Sequence, residues 1–178
     1  MSMVVSQLRS DLPQRMVLMG VAGCGKSSVG AALARRIGAV YVDGDDLHPT
    51  ANIAKMSRGI PLSDEDRWPW LTRVGEALSA GPGPTIIGCS ALKRAYRDHI
   101  TSVVGATVTF IHLVGSVEVI EKRMKAREGH FMPPALLASQ FATLEPPGSD
   151  ENAISVDIDQ PLEAVVESIA NQLGGTGR

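Results

Sequence analysis

The sequence predicts an α/β domain built on a mainly parallel sheet of five strands, and three observations predict it. Apolar strand-like runs alternate with stretches of helical spacing along the chain. A glycine-rich loop, Gly20-Val21-Ala22-Gly23-Cys24-Gly25-Lys26-Ser27, stands between a short apolar run and a helical one. The distinctive polar residues fall where the predicted strands end, which is where open parallel sheets bind ligands.

Taken in order, the first strand spans about Arg15 to Gly20, and Ser28 to Ile37 after the loop has helical spacing. A second strand, Ala39 to Val42, ends in Asp43-Gly44-Asp45-Asp46. Ala51 to Ser57 reads as helix, and Gly59-Ile60-Pro61-Leu62 as a turn. Ser63-Asp64-Glu65-Asp66 offers a capping box. Pro69 complicates it, so either Asp66 is the true cap or the helix kinks early. Trp70, Leu71, Val74, Ala77 and Leu78 then form an apolar stripe, with Trp68 and Trp70 more consistent with packing than with a stacking platform. Gly81-Pro82-Gly83-Pro84 ends that helix.

Thr85 to Cys89 is the third strand, followed by a basic helix from Ser90 to Ile100. Thr107 to Val114 is the fourth strand. The helix after it carries Glu118/Lys122 and Glu121/Lys125 pairs at i,i+4. Glu128 to Pro134 interrupts it, Ala135 to Leu144 resumes helical spacing, and Ile154 to Ile158 is the fifth strand. Leu162, Val165, Val166, Ile169, Ala170 and Leu173 mark a final amphipathic helix.

The 178 residues, 44% hydrophobic and 20% charged, suit one domain with a sizeable core. We expect it to span 15–173, with residues 1–14 a flexible lead-in and 174–178 a frayed tail. A net charge of −2 gives no global basic footprint, which argues against nucleic-acid and membrane-surface partners. No apolar run approaches the roughly 20 residues of a membrane span, and Met1 to Gln14 lacks the apolar core of a signal peptide. Cys24 and Cys89 give neither a disulfide framework nor metal-ligand spacing, and fit a reducing cytoplasm.

G-x-x-x-x-G-K-S is the P-loop pattern, and strand, loop, helix is the context it requires. Its glycines let backbone N–H groups close around phosphates, and the helix start adds partial positive charge. Lys26 reaches the β- and γ-phosphates and Ser27 can hold Mg²⁺. Asp43 and Asp45, two apart at a strand end, can divide metal support and proton abstraction; the bland alternative is an acidic turn that caps the next helix. Lys93 and Arg97 share a helix face and suit an anionic acceptor, or else form a solvated basic face. Arg123 and Arg127, at i,i+4 before a Gly/Pro-broken stretch, suit a mobile lid over about 123–141 that closes on the transferring phosphate. His130 reads equally as lid packing or ligand contact.

From Met16 to Leu173 the chain resembles the small gluconokinases of the P-loop kinase type, relatives of shikimate and adenylate kinases. The motifs that carry the resemblance are the P-loop itself, Asp43-Gly44-Asp45-Asp46-Leu47-His48-Pro49, Asn52-Ile53-Ala54-Lys55-Met56, Pro61 through Leu71, Cys89-Ser90-Ala91-Leu92-Lys93-Arg94-Ala95-Tyr96-Arg97-Asp98, Arg123 through Phe131, and Val156 through Leu162. The resemblance implies a three-layer fold with strand order 2-3-1-4-5, ATP and D-gluconate as substrates, Mg²⁺, and a homodimer. It implies ATP contacts at Gly20, Ala22, Gly23, Cys24, Gly25, Lys26, Ser27, Ser28 and Arg123, with Asp159 and Pro161 near the adenine. Asp43 joins Ser27 at the metal, while Lys26, Asp45 and Arg127 carry the transfer. Asp45, His48, Arg58, Lys93, Arg97, Arg127 and His130 face the acceptor. Rival readings are a kinase for another acceptor such as shikimate, a nucleotide-binding switch, or an RNA-acting ATPase. The chain has no N-K-x-D guanine-reading motif, which counts against the switch.

Overall fold

The computed structural model describes residues 12–126 and 134–175. Five strands, β1 (Arg15–Met19), β2 (Val40–Asp43), β3 (Thr85–Gly88), β4 (Thr109–Val114) and β5 (Ala153–Asp157), form one sheet in the order β2-β3-β1-β4-β5. Every pairing is parallel, with Val17 of β1 opposite both Ile87 and Phe110. The helices are α1 (Lys26–Ile37), α2 (Thr50–Ser57), α3 (Asp64–Ala80), α4 (Arg94–Val104), α5 (Val117–Ala126), α6 (Pro134–Thr143) and α7 (Leu162–Gly175). The fold class and strand order are those the sequence and its resemblance predict.

The layering follows from alternation along β1. Met16 and Leu18 pack with Val29 and Leu33 of α1 and Ile169 and Leu173 of α7. Val17 and Met19 point the other way, into Leu71, Val74 and Leu78 of α3 and Tyr96 and Ile100 of α4. A strand covered on both faces must be apolar at every position, so Met16 to Met19 reads as a continuous run. Each such side chain contributes about 1.5–3 kcal/mol by leaving water. Because β1 lies between β3 and β4, its C-terminal loop opens at the centre of the sheet edge, the switch point of doubly wound folds.

Three local expectations change. Ser63 caps α3: its hydroxyl accepts from Asp66 N at 3.2 Å, and the Asp66 carboxylate accepts from Ser63 N at 2.9 Å. Pro69 sits inside α3 and gives up one helical hydrogen bond. The basic helix predicted from Ser90 begins only at Arg94, because Ala91 adopts a left-handed φ of 43° and Lys93 is the extended N-cap. At the C-terminus α7 runs on to Gly175. Among the described residues, no helix is long and apolar enough to cross a membrane.

Candidate active site

The loop after β1 turns into α1 through Gly25, whose φ of 97° is left-handed and favours glycine. At Gly23, with φ 81°, a Cβ would stand 2.9 Å from the Met124 side chain. Lys26 Nζ donates to Gly20 O at 2.9 Å and Val21 O at 3.2 Å. Ala22 N donates to the side-chain oxygen of Gln140, on α6, at 2.6 Å. The loop, the turn after β2, the start of α3 and one side of α6 enclose a cleft of about 440 Å³. Gly23, Gly25, Lys26 and Ser27 of the loop line it, and so do Asp45, His48, Arg67, Trp70 and Tyr96.

Asp43 Oδ1 accepts from Asp45 N at 3.0 Å, so Asp43 caps the 3₁₀ turn Gly44–Leu47, as the bland reading allowed. The same bond leaves the Asp45 side chain free to face the cleft, where it is 83% exposed. Even so, the enclosing walls and then the charge of Asp43 push the Asp45 pKa above the ordinary carboxylate value, while Lys26 pulls it down. The Tyr41 side chain fills a slot made by Gly30 and Gly88, where a Cβ would come within 2.2 Å of the ring and 2.3 Å of the hydroxyl. Burial pushes the Tyr41 hydroxyl up to about 12, so it stays protonated.

His48 is buried and stacks on Trp70 with ring centroids 4.1 Å apart and planes 16° apart. Trp70 is fixed in turn by its indole N–H, which donates to Gly44 O at 2.8 Å. Asn52 Nδ2 donates to Asp66 O at 2.9 Å and lies 3.3 Å from His48 Nδ1. Asn52 therefore makes Nδ1 the acceptor and places the ring proton on Nε2, 3.9 Å from Asp45 Oδ1. Burial, and then the charge of Arg67, lower the His48 pKa to about 4, so the ring is neutral at pH 7.

Arg97 departs from its expected acceptor role. Only 1% of it is exposed. Its guanidinium pairs with Glu151 at 2.7 and 3.1 Å and donates to Ala91 O at 2.9 Å, Leu92 O at 3.3 Å and Glu145 O at 2.9 Å. It clasps the Ala91–Leu92 turn to the loop after α6, with no donor left for an acceptor. The helix boundary explains the error: with α4 starting at Arg94, Lys93 is outside the helix and does not share its face. Lys93 Nζ instead lies 3.5 Å from Asp64 Oδ1. Arg58 caps the C-terminus of α2, its Nε donating to Ala54 O at 3.3 Å, beside the cleft-lining Gly59 and Ile60.

Arg123 Nη1 would stand 3.5 Å from a Cβ at Gly25, and its Nη2 donates to Ile158 O and, at 3.4 Å, to Gln160 O. It thus joins the P-loop to the turn bearing Asp159 and Pro161. Asp159 N donates to Asp157 Oδ1 at 2.8 Å, and Pro161 O accepts from Ala164 N and Val165 N in the first turn of α7. Cys24 is buried, with its sulfur 2.8 Å from a Cβ at Gly20; Ser28 is exposed at the start of α1. Arg127 and His130 lie outside the described residues. Sequence reasoning held Arg67, Tyr96 and Asn52 within its motifs but gave them no role, and it missed Gln140. The capping box could have pointed to Arg67, since it fixes the start of α3 and hence the face on which Arg67 stands.

Comparison with known proteins places the chain in one family. An AAA domain family model matches residues 16–147. The thermoresistant gluconokinase of Escherichia coli (strain K12) is 49% identical over 85% of this chain and 89% of its own length. The gluconokinase of Gluconobacter oxydans (strain 621H) is 44% identical over 88% and 89%. The crystal structure of a gluconokinase from Sinorhizobium meliloti 1021 superposes with a TM-score of 0.87 at 46% identity, over 93% of this chain and 94% of that one. Shikimate kinase from Aquifex aeolicus, at 19% identity and TM-score 0.57, shares the fold. With its P-loop, its strand order and relatives of this closeness over nearly its whole length, the chain belongs to the gluconokinase family of P-loop kinases.

Proposed function

We propose that this chain transfers the γ-phosphoryl group of ATP to the terminal hydroxyl of D-gluconate, giving 6-phospho-D-gluconate and ADP. The observation that carries the reading is one cleft holding Lys26 and Ser27 together with Asp45 beside neutral His48. The P-loop N–H groups and Lys26 take the phosphates. Asp45, its pKa raised toward working pH, accepts the hydroxyl proton as the new O–P bond forms and the bond to the ADP oxygen breaks. His48 Nε2–H orients the acceptor beside it, with Lys93 and Arg58 at the rim. The turn at Asp159 and Pro161 takes the adenine. Arg123, Arg127 and His130 belong to the closing side, where they neutralise charge and limit hydrolysis.

Ser27 and Asp43 offer hard oxygens at the phosphate end, the donor set that suits Mg²⁺ held by one or two protein ligands and phosphate. When bound, the ion neutralises charge on the β- and γ-phosphates. A cytoplasmic homodimer completes the reading, and light scattering measures that assembly directly.

ADP release is the test, with gluconate, shikimate, nucleoside monophosphates and RNA as acceptors. Stimulation by gluconate alone is expected; equal release in every well points to an ATPase or a switch. Asp45→Asn should cut kcat by about 10²-fold or more, the scale of general-base catalysis. Near-normal turnover in that variant would remove Asp45 from the base role.

A further inference from the structure

Arg67, in the second turn of α3, and Lys93, just before α4, approach one carboxylate. Lys93 Nζ is 3.5 Å and Arg67 Nη1 4.0 Å from Asp64 Oδ1. The Tyr96 hydroxyl donates to that same oxygen and accepts from Arg67 Nη1 at 3.4 Å. Both cations also lie over the Tyr96 ring, at 5.5 and 5.6 Å from its centroid. Asp66, the other acid nearby, is taken by Lys55 at 2.6 Å. Two cations against one carboxylate leave a single positive charge in excess.

That charge faces the cleft, since Arg67 and Tyr96 both line it. Leu62 O accepts from Arg67 Nη1 at 2.6 Å. Among the described residues, protein acceptors engage only this nitrogen of the guanidinium. The Nε–Nη2 edge is therefore uncommitted, and it is an edge that meets two carboxylate oxygens at once. Arg67 has few alternatives: its side chain is 25% exposed and held through Nη1 by a backbone carbonyl and a buried tyrosine.

We propose that Arg67 determines specificity by taking the acceptor's carboxylate on this edge, and that Asp64 and Tyr96 are positioning residues holding Arg67 and Lys93 at the cleft wall. The inference rests on the gluconokinase reading and identifies what separates a sugar acid from its neutral relatives. Proton transfer sits at Asp45 and acid recognition at Arg67, so an acceptor lacking the carboxylate still reaches the base but binds weakly.

Steady-state rates with D-gluconate and its neutral amide, D-gluconamide, test this. The wild-type enzyme should favour the acid by about 10²-fold in kcat/KM, the order expected when a charged fork loses its partner. Arg67→Gln should lose most of that preference through the KM for gluconate, with kcat/KM falling far less for gluconamide than for gluconate. Tyr96→Phe should raise the KM for gluconate by roughly three- to tenfold at unchanged kcat, the scale of one hydrogen bond. An Arg67→Gln enzyme that keeps the preference, or loses both substrates in proportion, overturns the proposal. So does a wild-type preference near one, a measurement that needs no variant to fold. A wild-type enzyme with no gluconate turnover at all would instead refute the gluconokinase reading itself.

Discussion

Replacing Arg97 with alanine should weaken the fold long before it alters acceptor affinity. The substitution removes a two-point ion pair at 2.7 and 3.1 Å and three backbone contacts, to Ala91 O, Leu92 O and Glu145 O. It leaves the Glu151 carboxylate, 8% exposed, without its cation. Breaking a buried pair from one side costs about 3–5 kcal/mol. In a domain of this size each kcal/mol moves the melting temperature by about 2–4 °C, so the midpoint should fall by roughly 6–20 °C. Thermal and urea denaturation measure the loss, and gluconate kinetics at low temperature show whether the folded fraction keeps its KM. Arg97→Met combined with Glu151→Leu should recover much of the stability, because the cost lies in the orphaned charge. Arg97 also holds the Glu151 carboxyl below its usual value, so the pair's stabilisation is present above the unfolded carboxyl pKa and is lost as pH falls through the folded one. An Arg97→Ala enzyme with wild-type stability and a gluconate KM raised about 10²-fold, the loss of a charged contact, would refute this reasoning and restore Arg97 to the acceptor site.

Two further outcomes follow from side chains around the cleft. His48 titrates near 4 in the fold against an ordinary 6.5, so the unfolded chain binds more protons between those values. Stability should be intact above about pH 6.5 and fall by about 2 kcal/mol by pH 5, and His48→Gln should remove that part of the slope in urea titrations. An identical slope in the variant would acquit His48. Gln140 occupies the Ala22 N–H that a phosphate oxygen would take. Gln140→Ala should therefore bind a non-hydrolysable ATP analogue about three- to tenfold more tightly by calorimetry, the worth of one hydrogen bond. Unchanged or weaker binding means that Gln140 does not compete.

The sheet was legible because its strands are buried on both faces and leave continuous apolar runs, and because G-x-x-x-x-G-K-S announces its own strand and helix. Boundaries were less legible where one residue's backbone decides them. Nothing in the letters Ser90-Ala91-Leu92-Lys93 shows that Ala91 takes φ 43° and delays α4 to Arg94. That delay undid the inference that Lys93 and Arg97 share a face. Pro69 posed the converse difficulty, since a proline in the second turn of α3 is tolerated once Ser63 and Asp66 have fixed the helix start.

Charge explains the rest. An arginine in a motif advertises a partner without saying which, and two arginines on this chain divide the possibilities. Arg97 meets Glu151 and three carbonyls that lie 48 or more residues later or up to six residues earlier in sequence, contacts that no local spacing reveals. Arg67 meets Leu62 O five residues back and Tyr96 from a different helix, and keeps one edge of its fork free. The spent arginine joins the Ala91–Leu92 turn to the loop that follows α6, so it fixes the segment that leads into Lys93 and Tyr96 beside the uncommitted one. Recognition of the acceptor's carboxylate thus depends on Arg97 without contact, through the placement of Lys93 and Tyr96 at the start of α4. A modest rise in the KM for gluconate in Arg97→Ala, with gluconamide little changed and stability lowered, is the signature of that indirect dependence and differs from the larger loss without destabilisation expected at Arg67.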